Sequence, residues 1–168
     1  MIPVLFPSNV QEILDFGVLG YAMSRYAGVW VGFKAVADVV ECSATVNIDP
    51  QRHRIVLPVD FNMPEGGLNI RWPDTALAQE ARLIDHKLYA ALAFCRANSI
   101  NRTVIDAPNA RMGIVATGKA FQDTLQALND LGLNAARCAE IGIRVYKVGM
   151  VWPLDAVGVR EFAKGLHE

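Results

Sequence analysis

Apolar and polar positions change period several times along the chain, and each change marks an element. From Ser8 to Gly28, Ile13, Leu14, Phe16, Val18, Leu19, Met23 and Tyr26 recur at helical spacing and give a wide apolar face. Ser8 as N-cap with Gln11 three residues on makes a capping-box pattern, and Gly28 falls where a glycine ends a helix. Gly17 and Gly20 weaken that helix, so close packing against a neighbour is expected there. Val29–Phe33 is a short apolar run, expected as a strand buried on both faces. Residues 35–43 have no clear period. Segments 44–49 and 53–59 read as a hairpin across Asp49-Pro50-Gln51-Arg52, because Asp before Pro favours a type I turn. From Phe61 to Asp74, Pro64, Gly66, Gly67 and Pro73 mark a long loop, which in a compact domain is often functional or linking.

Thr75–Ala97 carries the strongest helical pattern, with Leu77, Ala81, Leu83, Ile84, Leu88, Leu92 and Phe94 in register and Thr75 as cap. Thr103–Ala107 and Gly113–Thr117 follow as short strands, and Lys119–Leu131 as a helix stopped at Gly132. Ile143–Trp152 reads as one long apolar strand ended by Pro153, and Leu154–Leu166 as a last helix. The alternation predicts an α/β layer with parallel pairing. The string finishes on a helix, so its sheet is expected to lack strands and to leave one flank open.

Composition adds a partner to this picture. The 168 residues fit one ordinary domain or parts of two, and 52% are hydrophobic. The mean hydropathy is +0.23, high for a small water-exposed domain, so the extra apolar surface calls for a protein partner or for neighbouring sequence of the same protein. A membrane is not that neighbour, because no run of about 18 apolar residues escapes a charge or turn signal. The start, Met1 to Pro7, lacks the basic end and cleavage site of a signal peptide. With 16 basic and 17 acidic side chains and no Lys/Arg block, nucleic-acid binding has no electrostatic footprint. Cys42, Cys95 and Cys138 are odd in number, far apart and in no C-x-x-C, so they are expected as buried free thiols of a cytoplasmic protein. They are not expected to ligate a metal or cluster.

The motifs that carry chemistry are few. Gly113-Ile-Val-Ala-Thr-Gly118-Lys119-Ala120 is close to a phosphate-binding loop, but its spacer reads as a buried strand and Ala120 has no hydroxyl for magnesium. No nucleotide site is expected there. His53, His86 and His167 lie on three elements without paired ligand spacing. Ser8 and Ser24 lack G-x-S-x-G context, and Glu12, Asp15 and Asp38 do not form a carboxylate pair. The loop Gly66-Gly-Leu-Asn-Ile-Arg71-Trp72-Pro73-Asp74 is less ordinary. It supports two readings. Arg71, Trp72 and Asp74 either anchor a contact with another domain, or Trp72 plugs a gap between layers while Arg71 and Asp74 neutralise each other.

Five strings, in order, resemble the indolepyruvate ferredoxin oxidoreductase family in its long, fused bacterial form. They are Pro7–Gly17, Ala22–Lys34, Gly66–Asp74, Lys87–Ala93 and Tyr146–Leu154; Ala27 and Val29 are small departures. The resemblance implies an enzyme that oxidatively decarboxylates an aromatic 2-oxoacid to an acyl-coenzyme A. Thiamine diphosphate with magnesium would hold the adduct, and iron–sulfur clusters would pass electrons to ferredoxin. It implies an α/β fold: the end of a pyrimidine-binding domain over residues 1–49, a hairpin and connecting loop over 50–74, and over 75–168 a helix plus part of a three-layer domain like the C-terminal one of transketolase. The activating glutamate, the diphosphate and magnesium site and the cluster cysteines would all lie outside this chain. It therefore carries no catalytic, cofactor or metal residue by resemblance and is expected to be inactive alone. Its implied partners are the remaining domains of the parent enzyme, with a homodimer as the expected assembly. The rival readings are a free-standing, non-catalytic interaction module and, third, a compact nucleotide-binding protein.

Overall fold

The computed structural model describes residues 1–49 and 51–167. Two three-stranded sheets share one continuous stretch of chain. In the first, β1 (Val4–Leu5) pairs in parallel with β2 (Gly32–Phe33) and antiparallel with β6 (Met150–Trp152). In the second, β5 (Ile143–Val148) is central, antiparallel to β3 (Arg102–Ile105) and parallel to β4 (Met112–Thr117). The expected single strand over 143–152 is therefore two, broken at Gly149. A side chain at Gly149 would meet the Ile100 carbonyl and the Phe16 ring. The amides of Gly149 and Met150 both donate to Asn101 Oδ1 at 2.8 Å, and the Gly149 carbonyl accepts from Phe6 N. The Asn101 side chain thus takes the ladder bonds at the switch between sheets. Pairing is mixed rather than all parallel, since β3 runs against β5.

Helix α1 (Val10–Ala27) lies on the first sheet. Its cap is Asn9, one residue later than the pattern predicts; Asn9 Oδ1 accepts from Glu12 N at 2.9 Å, and Gly28 at φ +64° closes the other end. Ser8 is drawn away from capping because its amide and hydroxyl both donate to the Glu12 carboxylate. Phe16, Leu19, Met23 and Ala27 pack with Leu5, Met150 and, from α4 (Leu88–Ala97), Ala90, Ala91 and Phe94. The expected close packing holds at Gly20, where a β-carbon would touch Leu5, Val31 and Phe33, but not at Gly17, which faces open space.

The 75–97 pattern is one helical path in three parts: α3 (Ala76–Arg82), capped by Thr75, a π-helical turn at Leu83–Lys87, and α4. In the second sheet β5 alternates sides. Val145 meets Phe121 and Leu128 of α5 (Gly118–Asp130) and Cys138 of α6 (Ala135–Ile141). Tyr146 and Val148 meet Phe162 of α7 (Ala156–Ala163) on the opposite face. Three layers result. The sequence pattern left out α6; it starts at Asn134, whose side chain accepts from Arg137 N.

Two further expectations fail. Val29–Phe33 is not a strand buried on both faces: only Gly32–Phe33 pairs, Trp30 is 85% exposed and Phe33 is exposed. The hairpin over 44–59 is not formed. Asp49 O does accept from Arg52 N as in a turn, with Pro50 itself outside the described residues. The flanking segments instead bond to side-chain amides. Asn47 exchanges two hydrogen bonds with Gln11, and Val56 exchanges two with Asn98. These amides take the place of a partner strand. The ambiguous 35–43 stretch holds the short α2 (Ala37–Val40).

Candidate functional site

The Gly66–Asp74 loop and the helical path after it enclose an open groove of roughly 720 Å³. Gly66 and Gly67 have φ of +77° and +71°, a region costly for other residues, and Gly67 N donates to Pro64 O to turn the loop back. Leu68, buried, anchors the turn in the first core, and its carbonyl abuts Gly28 at the end of α1. Arg71 and Asp74, which line the groove, face each other at 3.4 Å. The expected Arg71–Asp74 neutralisation is therefore present. Trp72 plugs no gap: it is 92% exposed and does not line the groove. The three residues share a loop but not a direction.

The opposite wall is Ser24, Gly28, Val29 and Trp30, and the floor comes from Gln79, Arg82, Leu83 and Lys87. Lys87 Nζ donates to Gly28 O at 2.9 Å and Arg82 Nη1 to Gly67 O at 2.6 Å. Burial first, and the charge of Arg82 second, lower the Lys87 pKa.

Sequence reasoning missed a second polar cluster. Lys147, fully buried on β5, reaches Glu12 of α1, donates to Ser8 Oγ at 2.9 Å, and sits over the rings of Phe16 and Phe121. Gln122 also donates to Ser8 Oγ, and Arg102 stands 3.5 Å from Glu12. Burial opposes charge on Glu12 most strongly, yet hydrogen bonds and attraction from Lys147, with Ser8, outweigh it and lower the Glu12 pKa. Burial lowers the Lys147 pKa, against the pull of Glu12. The available signal was a lone Lys in the apolar run Val145-Tyr-Lys-Val148. Asp15, nearly one helical turn on, holds Arg52 at 3.1 Å and lies 2.8 Å from His53 Nε2.

The other candidates scatter. Gly118, at φ +52°, opens α5, and a side chain there would collide with the Phe6 ring, so the glycine serves close packing. The spacer before it is β4, as expected, but Val115 is exposed rather than buried. Lys119 is tied to Asp123. Cys95 and Cys138 are buried, in different cores, whereas Cys42 is exposed, against expectation. Burial pushes the Cys95 thiol up to about 12, away from the thiolate a metal needs. Among the described residues no three His, Cys, Asp or Glu side chains gather as a metal site. No helix among them is long and apolar enough to cross a membrane.

Comparison with a solved structure defines the class of fold. Over 99% of this chain and 34% of the other, it superimposes with TM-score 0.55 and 12% identity on the 2-oxoglutarate:ferredoxin oxidoreductase from Magnetococcus marinus, solved with 2-oxoglutarate, coenzyme A and succinyl-CoA bound. Residues 101–168 match the family model of the indolepyruvate ferredoxin oxidoreductase middle domain. The indolepyruvate oxidoreductase subunit IorA of Methanothermobacter marburgensis is 27% identical over 166 residues, and that of Methanothermobacter thermautotrophicus 27% over 165. The chain is thus similar along its length to indolepyruvate oxidoreductase subunits, and over residues 101–168 to the middle domain of the indolepyruvate ferredoxin oxidoreductase family. It spans about a quarter of the length of those relatives.

Proposed function

We propose that this chain is the packing and docking part of a thiamine-diphosphate-dependent 2-oxoacid oxidoreductase and is inactive alone. In the proposed reaction an aromatic 2-oxoacid such as indolepyruvate and coenzyme A give an acyl-CoA, carbon dioxide, a proton and two electrons, which pass through iron–sulfur clusters to ferredoxin. The cofactors supply that chemistry from other domains, in keeping with the division 1–49, 50–74 and 75–168. Here Lys147 of β5 ties the second sheet to α1 through Glu12, and the 66–74 loop offers Arg71, Trp72 and Asp74 to a neighbouring domain. The observation that carries this reading is the similarity over 99% of the chain to subunits of which it covers a quarter.

The test is an assay of ferredoxin reduction with indolepyruvate, coenzyme A, thiamine diphosphate and magnesium, run on the chain alone and on the parent enzyme. Turnover is expected only in the parent, and Trp72→Ala there should lower activity by weakening assembly. Turnover by the isolated chain, or calorimetric binding of thiamine diphosphate to it at micromolar strength, overturns the proposal.

A further inference from the structure

The π-helical turn interrupts an otherwise regular helix, and its position has a chemical effect. Its defining bond runs from Leu88 N to Leu83 O, five residues apart. In an α-helix, residues three and four apart share a face, and residues five apart do not. The wider i→i+5 turn brings residues five apart toward one side. Arg82 and Lys87 are five apart across this turn, and both line the groove. Among the described residues neither has a carboxylate partner; their acceptors are the backbone carbonyls of Glu65 and Gly67 for Arg82 and of Gly28 for Lys87. Of the carboxylates lining the groove, Asp74 is taken by Arg71 and Glu80 is exposed. Arg82 and Lys87 thus line one groove together with the Arg71–Asp74 pair, Trp30, Ile70 and Leu83.

We infer that this groove is a binding site for an oxyanion carried on an apolar or aromatic body, a carboxylate or a phosphate ester. The Arg82 guanidinium and the Lys87 ammonium hold the oxyanion, and Trp30, Ile70 and Leu83 cover the body. A guanidinium and an ammonium lining one groove suit a group with two or three charged oxygens, which accepts from both at once. An exposed indole suits a flat apolar partner. The groove shares Arg71 and Asp74 with the contact surface proposed above, but the isolated chain holds all of its lining. Trp72 and the outer face of the loop lie outside it.

The experiment is a titration of the isotope-labelled chain followed by its amide and indole N–H resonances. The probes are 1-naphthyl phosphate, 2-naphthoate and inorganic phosphate, with a Glu-containing apolar peptide as the protein-like alternative. A naphthyl probe should shift the Trp30 indole signal and saturate. Stronger binding of the phosphate or of the carboxylate identifies the preferred oxyanion. Inorganic phosphate should bind about ten-fold more weakly, lacking the apolar body. Arg82→Gln with Lys87→Gln should lose about ten-fold or more of the affinity, the worth of one charge-assisted bond. Arg82→Lys, which keeps the charge, should retain most of it, and Arg137→Gln, remote from the groove, all of it. The spectrum of each variant reports its folding; should the double variant not fold, Lys87→Met and Trp30→Ala carry the test. Unchanged binding in folded Gln variants, no Trp30 shift at millimolar probe, or occupancy by the peptide alone overturns the site.

Discussion

Lys147 is fully buried and Glu12 nearly so, and Glu12 is the only carboxylate paired with Lys147 among the described residues. Removing one partner strands a buried charge. Lys147→Met should cost about 3–5 kcal/mol of unfolding free energy, whereas Glu12→Gln with Lys147→Met should cost much less than the sum of the single changes. Urea denaturation of the four proteins checks this; additive losses would show that the pair is not coupled. The sign of the pH dependence follows from Glu12 and Asp15, both held below their ordinary pKa in the fold. Their stabilisation is present above the unfolded carboxylate pKa of about 4 and is lost as pH falls through the folded values. The urea midpoint should therefore drop as pH falls below about 4, and Glu12→Gln should flatten that slope. The cluster was only partly legible in sequence. An unpaired Lys in an apolar strand announces a buried partner, but its partner lies 135 positions away, and no local period connects them.

Among the elements, those whose signals are local were readable. Helix α1, the 75–97 helical path, β3, β4, α5 and α7 follow from apolar period, caps and glycine stops. The elements missed are those decided by distant groups. The Ile143–Trp152 run carries one apolar pattern, yet Asn101 and the tight fit at Gly149 divide it between sheets. Segments 44–49 and 53–59 have strand composition, but Gln11 and Asn98 supply their partners. In the groove, the pattern singled out Arg71 and Asp74 but not Arg82 or Lys87, which flank a π-turn that an α-helical period does not register. Two glycines test the element-level account. Gly17 sits mid-helix facing open space, so Gly17→Ala should stabilise the isolated chain by about 0.5–1 kcal/mol. Gly118 is left-handed against the Phe6 ring, so Gly118→Ala should destabilise by at least about 1 kcal/mol. Thermal unfolding of both variants distinguishes them, and equal effects would refute the packing described.

At the scale of the whole molecule, the apolar excess of the composition lies on the surface. Leu14, Val18 and Tyr21 form an exposed stripe on α1 beside Trp30, and Ile70, Trp72 and Leu77 project from the loop and α3. The sheet edges are β3 and β4 in one sheet and β2 and β6 in the other, with Val104, Met112, Val115, Phe33 and Trp152 exposed along them. This exposure supports the proposal that the chain is covered by other domains of a parent enzyme or by a second copy. A stable pair typically buries about 1,600 Å². Sedimentation equilibrium of the chain at micromolar concentration, alone and mixed with the remaining domains of the parent enzyme, tests this most directly. The account predicts self-association or a defined complex, weakened by Trp72→Ala; a monomer that ignores those domains would contradict it.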